Sequence, residues 1–308
     1  MTILEPGRYS FSVTAPARVD AAVSQAVGIS RTKAVQWIER DLVTVDGAIA
    51  RKSTKLAVGD TITVTVPNDP DPLEVKAEVV QDLTVIADET DYVVVDKPVG
   101  VAAHPSQGWR GPTVVGGLAA LGIRIATSGP AERLGIVQRL DVGTSGLMVV
   151  AKTEVAYSRL KQAFRDRTPD RNYHALVQGI PDPTDGTINA PIDRHPGYEW
   201  RFGVVEGGKE AITEYETLEA FGPATLVDVQ LHTGRTHQIR VHFSALHHPL
   251  VGDLTYGADA QLAADLGLTR QWLHAVGLGF VHPVSGEYMR YRSQYPADLE
   301  YALERLRY

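Results

Sequence analysis

The sequence predicts an α+β fold: a central mixed, largely antiparallel sheet flanked by helices, preceded by a small α/β module. Three observations predict it. Apolar residues switch several times between a period of 3.6 and a period of two. The elements marked this way follow no regular β-α-β alternation, which disfavours a doubly wound parallel sheet. Residues 67–78, PNDPDPLEVKAE, hold three prolines and four acids in twelve residues, and neither a helix nor a central strand runs through such a stretch. It reads as a linker between a module at 17–66 and a body at 79–308.

In the module, Val19, Val23, Ala26 and Val27 follow helical spacing. Ser30 suits the N-cap of a second helix, along which Ala34, Val35, Ile38 and Leu42 share one side. Arg31, Lys33 and Arg40 fall off that stripe. The period then drops to two at Val43 and Val45, and Asp46-Gly47 marks a tight turn. GDTITVTV, 59–66, alternates strictly and closes the module as a strand.

In the body, DYVVVDKP, 91–98, is a strand that stops at Pro98, and GGLAALG, 116–122, reads as packing rather than a phosphate cradle. Leu147–Lys152 is a second strand, followed by a helix from Glu154 to about Arg165 with Tyr157, Leu160 and Phe164 on one side. RNYHALVQG, 171–179, sets Tyr173, Ala175 and Val177 on one face, and TLVDVQL, 225–231, alternates too. Behind Gly234, RTHQIRVHFSAL suits a helix capped by Thr236, with Ile239, Phe243 and Leu246 inward.

Composition narrows the chemistry. The chain has 308 residues, 44% hydrophobic and 22% charged, so a sizeable core can be buried. It has no cysteine, which removes disulfides, thiolate metal sites and thiol nucleophiles. The opening MTILEPGRYSFSV is no signal peptide, and no apolar run approaches the roughly 20 residues of a membrane span. A cytoplasmic protein without a membrane partner is expected. The net charge of −7 is unevenly spread: residues 17–66 hold seven Lys/Arg against five Asp/Glu, a local +2 that leaves −9 elsewhere. Any polyanionic partner must therefore meet local basic patches.

Common catalytic motifs are missing: no G-x-x-x-x-G-K-[ST], no G-x-G-x-x-G after a strand, no H-E-x-x-H. His237, His242 and His247 are five apart, a spacing that turns each about 140° from the last on a helix and suits no metal site. Ser145 lies in T-S-G-L rather than a G-x-S-x-G elbow, which disfavours a serine hydrolase. Asp141, ahead of a small-residue turn and a buried strand, is left with two readings. It is a turn residue bonding nearby amides, or a nucleophile or base kept ionised by a guanidinium, with Arg139 and Arg240 as candidate partners.

Longer motifs carry a resemblance. DKPVGVAAHP (96–105), RLDVGTSGLMVVAK (139–152), RNYHALVQG (171–179), LHTGRTHQIRVHFSALHHPLVGD (231–253) and LHAVGLGFVHPVSGE (273–287) occur in this order. The body resembles the RluA-type pseudouridine synthases, most closely the RluD-like enzymes of the large ribosomal subunit. Residues 17–66 resemble an S4 RNA-binding domain. The resemblance implies that Asp141 is the catalytic aspartate, that Tyr173 stacks on the target uracil, and that Arg240 pairs with the aspartate. It also implies that Arg139 helps displace the target base, and that Arg31 and Lys33 of the S4-like module bind RNA. No cofactor and no metal are implied. The partner would be RNA, large-subunit 23S ribosomal RNA or a pre-ribosomal particle, met by a monomer. Uridine in transfer RNA is the alternative substrate, and a non-catalytic RNA-binding or ribosome-assembly protein the alternative function. One residue departs from the family pattern: Gln138 stands where His usually precedes R-L-D. Gln hydrogen-bonds but does not titrate; with Asp141, Tyr173 and Arg240 intact, retained activity is expected.

Overall fold

The computed structural model describes residues 5–29, 31–67, 75–106, 108–129, 133–198 and 201–307. The chain forms two compact units, residues 1–71 and 72–308.

In the first unit, β1 (Gly7–Ser12) and β2 (Ala17–Arg18) precede α1 (Val19–Val27) and α2 (Arg31–Glu39). Then come β3 (Val43–Val45), β4 (Ala48–Ile49), β5 (Lys55–Leu56) and β6 (Thr61–Val66), with a sheet ordered β1-β6-β3-β4. The apolar stripe of α1 is buried through Val19, Val23 and Val27, as the spacing predicts. Asp46 and Gly47 both take positive φ, 49° and 82°, the backbone a two-residue hairpin needs. Two features differ from the sequence expectation. β1 adds an edge strand through its register with β6, from Gly7↔Val66 to Ser12↔Thr61. Leu42 lies beyond α2, because Asp41 turns left-handed (φ 57°) and ends the helix. Trp37, not Leu42, is the large residue α2 buries. Ser30 lies outside the described residues, as does most of 67–78. The described end of that stretch packs on the second unit, Glu78 donating to the Gly116 carbonyl at 3.2 Å.

The second unit is built on a nine-stranded sheet. Its first elements are β7 (Thr84–Asp88), β8 (Tyr92–Lys97), α3 (Val114–Ala120), β9 (Ser145–Ala151), α4 (Glu154–Asp166) and β10 (Asp170–Gln178). There follow β11 (Asp185–Asn189), β12 (Ile192–Arg194), β13 (Phe202–Val204), β14 (Ile212–Ala220) and β15 (Ala224–Leu231). Last come α5 (Gln238–Ala245), α6 (Ala260–Asp265), β16 (Leu273–Val281), β17 (Tyr288–Arg292) and α7 (Ala297–Arg307). The order across the sheet is β11-β14-β15-β10-β16-β9-β8-β7, with β17 on β16. β12 and β13 pair separately.

Both faces of the sheet are covered. Val114, Val115 and Leu118 of α3 and Ile239 and Phe243 of α5 share one core with Val93, Val95, Met148 and Val150. Ala156, Tyr157 and Leu160 of α4 cover Leu147 and Val149 on the other side. Every residue of β9 is buried, which explains its continuous apolar run. The 116–122 segment is packing, as expected: a Cβ on Gly117 would lie 2.5 Å from Leu83 Cδ2. Among the described residues no helix is long and apolar enough to cross a membrane.

β9 and β16 run parallel while the other neighbours in this sheet run antiparallel, and this junction fixes the site. Ser145 pairs with His274 and Gly146 with Ala275. Gly146 has φ 115°, and a Cβ there would sit 2.4 Å from the Ala275 carbonyl oxygen. Only glycine permits that approach.

Candidate active site

The turn that feeds β9 into the junction carries Asp141. Thr144 N–H donates to the Asp141 main-chain carbonyl at 3.0 Å and closes the turn. The turn is gripped from three directions. Lys97 Nζ, fully buried, reaches the Val142 carbonyl at 3.5 Å and donates to Val101 O at 2.8 Å. Arg270 Nη1 donates to Gly143 O at 3.3 Å and to Ser145 Oγ at 3.2 Å. Gln271 Nε2 donates to Thr144 Oγ1 at 3.3 Å, so close that a Cβ on Gly143 would be 2.6 Å from Gln271 Oε1. Burial draws Lys97 down to about 7, with the Asp141 charge opposing.

The Asp141 carboxylate, 27% exposed, does not cap its own turn but accepts from Arg240 Nη1 at 3.2 Å. Arg240 also grips Asp253 with two bonds, Nε to Oδ2 at 2.6 Å and Nη2 to Oδ1 at 2.9 Å. Burial opposes the charge on Arg240, but the hydrogen bonds and charge of Asp253, aided by Asp141, raise its pKa overall. The Tyr256 ring lies 4.9 Å from the guanidinium carbon. Of the two candidate partners for Asp141, Arg240 is therefore the one that holds it. Arg139 is exposed and donates to Thr236 Oγ1 at 3.3 Å.

The N-terminus of α5 departs from expectation. Thr236 does not cap it; the N-cap is His237, left-handed at φ 55° and ψ 23°, and the helix starts at Gln238. The Gln238 side chain satisfies the loop instead, Oε1 accepting from Arg235 N at 3.0 Å and Thr233 Oγ1 at 2.8 Å. Leu246 ends the helix 38% exposed rather than facing inward. The left-handed turn aims His237 at the site: Nδ1 lies 2.8 Å from the Tyr256 hydroxyl and Nε2 3.8 Å from Asp141 Oδ2. Burial lowers the His237 pKa despite the adjoining Asp141, so the ring is neutral near pH 7.

Tyr173 is buried on β10, and its hydroxyl bonds no protein group among the described residues. Burial, reinforced by Asp141 and opposed by Arg171, raises its pKa, so the phenol stays protonated at neutral pH.

Asp141, Tyr173, Arg240, Arg139 and Gln138 all line one cleft of about 850 Å³. Seven Lys/Arg line it and Asp141 is the one carboxylate among the lining residues, on a chain whose net charge is −7. Gln138 Nε2 is buried there without a hydrogen-bond partner among the described residues. Arg31 and Lys33 belong to the first unit. Arg31 Nη2 clamps the buried Asp20 at 2.8 Å, and Lys33 Nζ sits 5.8 Å above the Trp37 ring. The Arg18 hydrogen bond, offset by burial and joined by that of Arg31, holds the Asp20 carboxyl below its usual range. Among the described residues no three His, Asp or Glu gather to hold a metal. His242 is committed elsewhere, its two ring nitrogens lying 2.8 Å from Thr213 Oγ1 and 2.9 Å from Ala190 O.

Sequence pattern gave no sign of Asp253, Tyr256, Lys97 or Gln271, which lie in loops or on a buried strand without periodic signal. Nor did it reveal His274 behind the Asp141 turn, with Nδ1 2.8 Å from Ser145 Oγ and Nε2 2.9 Å from Ser293 Oγ. Burial first, then the Arg270 and His174 charges, lower its pKa to about 4, against the opposing Gln294 main-chain hydrogen bond and Asp298 charge. Its contribution to stability is thus complete above the unfolded pKa near 6.5 and lost as pH falls from there through about 4. Denaturant titrations at pH 7 and pH 4.5 should differ through this group by on the order of 2–3 kcal/mol. His274→Gln should show a smaller pH dependence over that window; an unchanged slope would exclude His274 as its source.

The sequence profile of the RNA pseudouridylate synthases matches residues 91–245, and that of the S4 domain matches residues 17–62. An uncharacterised RNA pseudouridine synthase of Mycobacterium bovis is 56% identical over 290 residues, 94% of each chain. A ribosomal large subunit pseudouridine synthase D of Nitrosomonas europaea is 39% identical over 296 residues, 94% of this chain and 84% of its own. Among solved structures, human RNA pseudouridylate synthase domain containing 4 matches with a TM-score of 0.57 and 26% identity, over 72% of this chain and 92% of its own.

Proposed function

The chain belongs to the RNA pseudouridine synthases, and from that premise we propose that it isomerises specific uridines of 23S ribosomal RNA with Asp141 as catalyst. The observation that carries the assignment of Asp141 is its pairing with a buried arginine that Asp253 already anchors, inside a cationic cleft. Ribosomal RNA is favoured over transfer RNA by relatives named for the large subunit, at 39% and 37% identity. In this reading an S4 domain at 17–66 and a linker at 67–78 precede the catalytic domain at 79–308. Arg31 and Lys33 of the S4 domain meet RNA.

The reaction breaks the N1–C1′ bond and forms a C5–C1′ bond. N1 gains a proton, C5 loses one, and nothing is oxidised or reduced. The target carbons cannot be reached inside a stacked helix, so the nucleotide must be flipped out at a cost of a few kcal/mol. The Tyr173 face offsets that cost, since base stacking is worth about 1–3 kcal/mol. In this reading Arg139, an exposed residue of the cleft lining, takes the displaced base's place. Asp141 attacks sugar or base, or takes a sugar proton, and in each of these roles the Arg240 hydrogen bond aims it. The raised pKa of Tyr173 supports a stacking and proton-donating role over that of a phenolate base.

The test is to incubate the protein with deproteinised large-subunit RNA, assembled large subunits and bulk transfer RNA, then map pseudouridine chemically. Signal in large-subunit RNA is expected; signal confined to transfer RNA would overturn the ribosomal assignment. Within the same assay Tyr173→Phe, which keeps the ring, should retain more turnover than Tyr173→Leu. The leucine variant should lose about 5- to 150-fold, the equivalent of one stacking interaction. Equal loss in the two variants would assign Tyr173 to its hydroxyl instead.

A further inference from the structure

Arg171 is a buried arginine that the chemistry above does not use. It sits on β10 two residues before Tyr173, 8% exposed, and lines the cleft. Two other arginines are as deeply buried, and each is neutralised by a two-bonded aspartate: Arg240 by Asp253, Arg270 by Asp298. Arg171 has no carboxylate among the described residues. Nη2 donates to the Leu231 carbonyl at 2.9 Å, the Phe164 ring lies 5.9 Å from its guanidinium carbon, and Nε–H has no acceptor. On the facing loop, Gly234 leaves the third nitrogen uncovered, since a Cβ there would lie 2.9 Å from Nη1. Lys161, Arg165, Arg167 and Arg235 line the same cleft; Glu210 pairs with Arg167, and the other three add positive charge around Arg171.

A buried charge without a counter-charge is unfavourable, and a site that keeps one is organised for an anionic ligand. A uracil carbonyl would satisfy an N–H but leave the charge unbalanced; a phosphate satisfies both. Residues two apart on a strand are separated by about 6.6 Å, close enough for a base on Tyr173 and a neighbouring phosphate to be held together. We propose that Arg171 is the phosphate anchor of the cleft, its charge and its Nη1–H binding a backbone phosphodiester next to the nucleotide stacked on Tyr173. Lys161 and Arg165 receive the phosphates beyond it. The inference rests on RNA being the substrate of this cleft.

The test uses the full chain, with Arg171→Met and Arg171→Lys variants, measuring thermal unfolding and binding of a 12-residue oligouridylate between 50 and 300 mM salt. Arg171→Met should unfold no earlier than wild type, because an unpaired charge has gone, yet bind more weakly. The magnitude of its log K against log [salt] slope should fall by about 0.7, one phosphate contact on a single strand. Arg171→Lys should keep most of the slope. Uridine 3′,5′-bisphosphate should raise the wild-type unfolding temperature and leave that of Arg171→Met unmoved, while uridine distinguishes the two proteins little. Earlier unfolding of Arg171→Met with an unchanged salt slope would make Arg171 a brace for the Leu231 carbonyl and overturn the proposal. Weaker binding at an unchanged slope would assign the contact to the base, and overturn it equally. Pseudouridine mapped in the wild-type assay alongside either result would leave the catalytic assignment standing. Phosphate-dependent binding with no pseudouridine formed would do the reverse.

Discussion

Asp141→Asn should abolish pseudouridine formation while leaving the unfolding temperature and RNA affinity close to wild type. The loss in turnover should be at least about 1,000-fold, some 4 kcal/mol of transition-state stabilisation, because the amide can neither attack nor accept a proton. Fold and binding survive for a structural reason. Asp141 is partly exposed, and its own turn is closed by its main-chain carbonyl rather than its side chain. Its partner Arg240 keeps both bonds to Asp253 when the Asp141 charge is lost. Mapping pseudouridine after incubation of the two proteins with large-subunit RNA reads the effect directly. Equal modification by both would refute Asp141 as catalyst.

That a single carboxylate can be removed so cleanly reflects how the site is assembled, and how unevenly its parts are written in the sequence. β10, which carries Tyr173, buries alternate residues over its first half, so its period marks it; α5, which carries Arg240, is buried at every residue from Gln238 to Phe243, and only Ile239 and Phe243 mark its inward side in the sequence. Asp141 was visible as an acid ahead of a buried strand, but residue types left it open whether its side chain bonds its own turn. The answer depends on Arg240, 99 positions away, brought into reach by α5, which packs on the same core as β9. Asp253 and Tyr256 follow α5 in a loop, where no period exists to flag them, and only the folded chain shows that they hold Arg240. The start of α5 lies one residue later than Thr236, a good N-cap type, predicts: His237 takes the cap position, left-handed and 2.8 Å from the Tyr256 hydroxyl. Gln138, set apart in the sequence only by its departure from the family pattern, proves to line the cleft with a buried, unpartnered amide nitrogen.

The second large effect concerns Arg240 and Asp253 as a pair. Arg240→Met should be inactive and also strongly destabilised, because it strands the Asp253 carboxylate, 2% exposed, without its counter-charge. Breaking a buried pair from one side costs about 3–5 kcal/mol, which for a unit of this size lowers the unfolding temperature by roughly 6–20 °C. Arg240→Met combined with Asp253→Leu removes both charges, and should recover most of that loss, since a buried pair exchanged for apolar side chains is often neutral or better. Activity should not return with stability: in the double variant Asp141 still lacks the Nη1–H that aims it. Measuring unfolding temperature and pseudouridine yield on the same three proteins separates the two roles of Arg240. A double variant as unstable as the single would show that stability does not depend on charge balance at Asp253. Turnover restored together with stability would mean that Arg240 acts by supporting the fold and not by orienting the carboxylate.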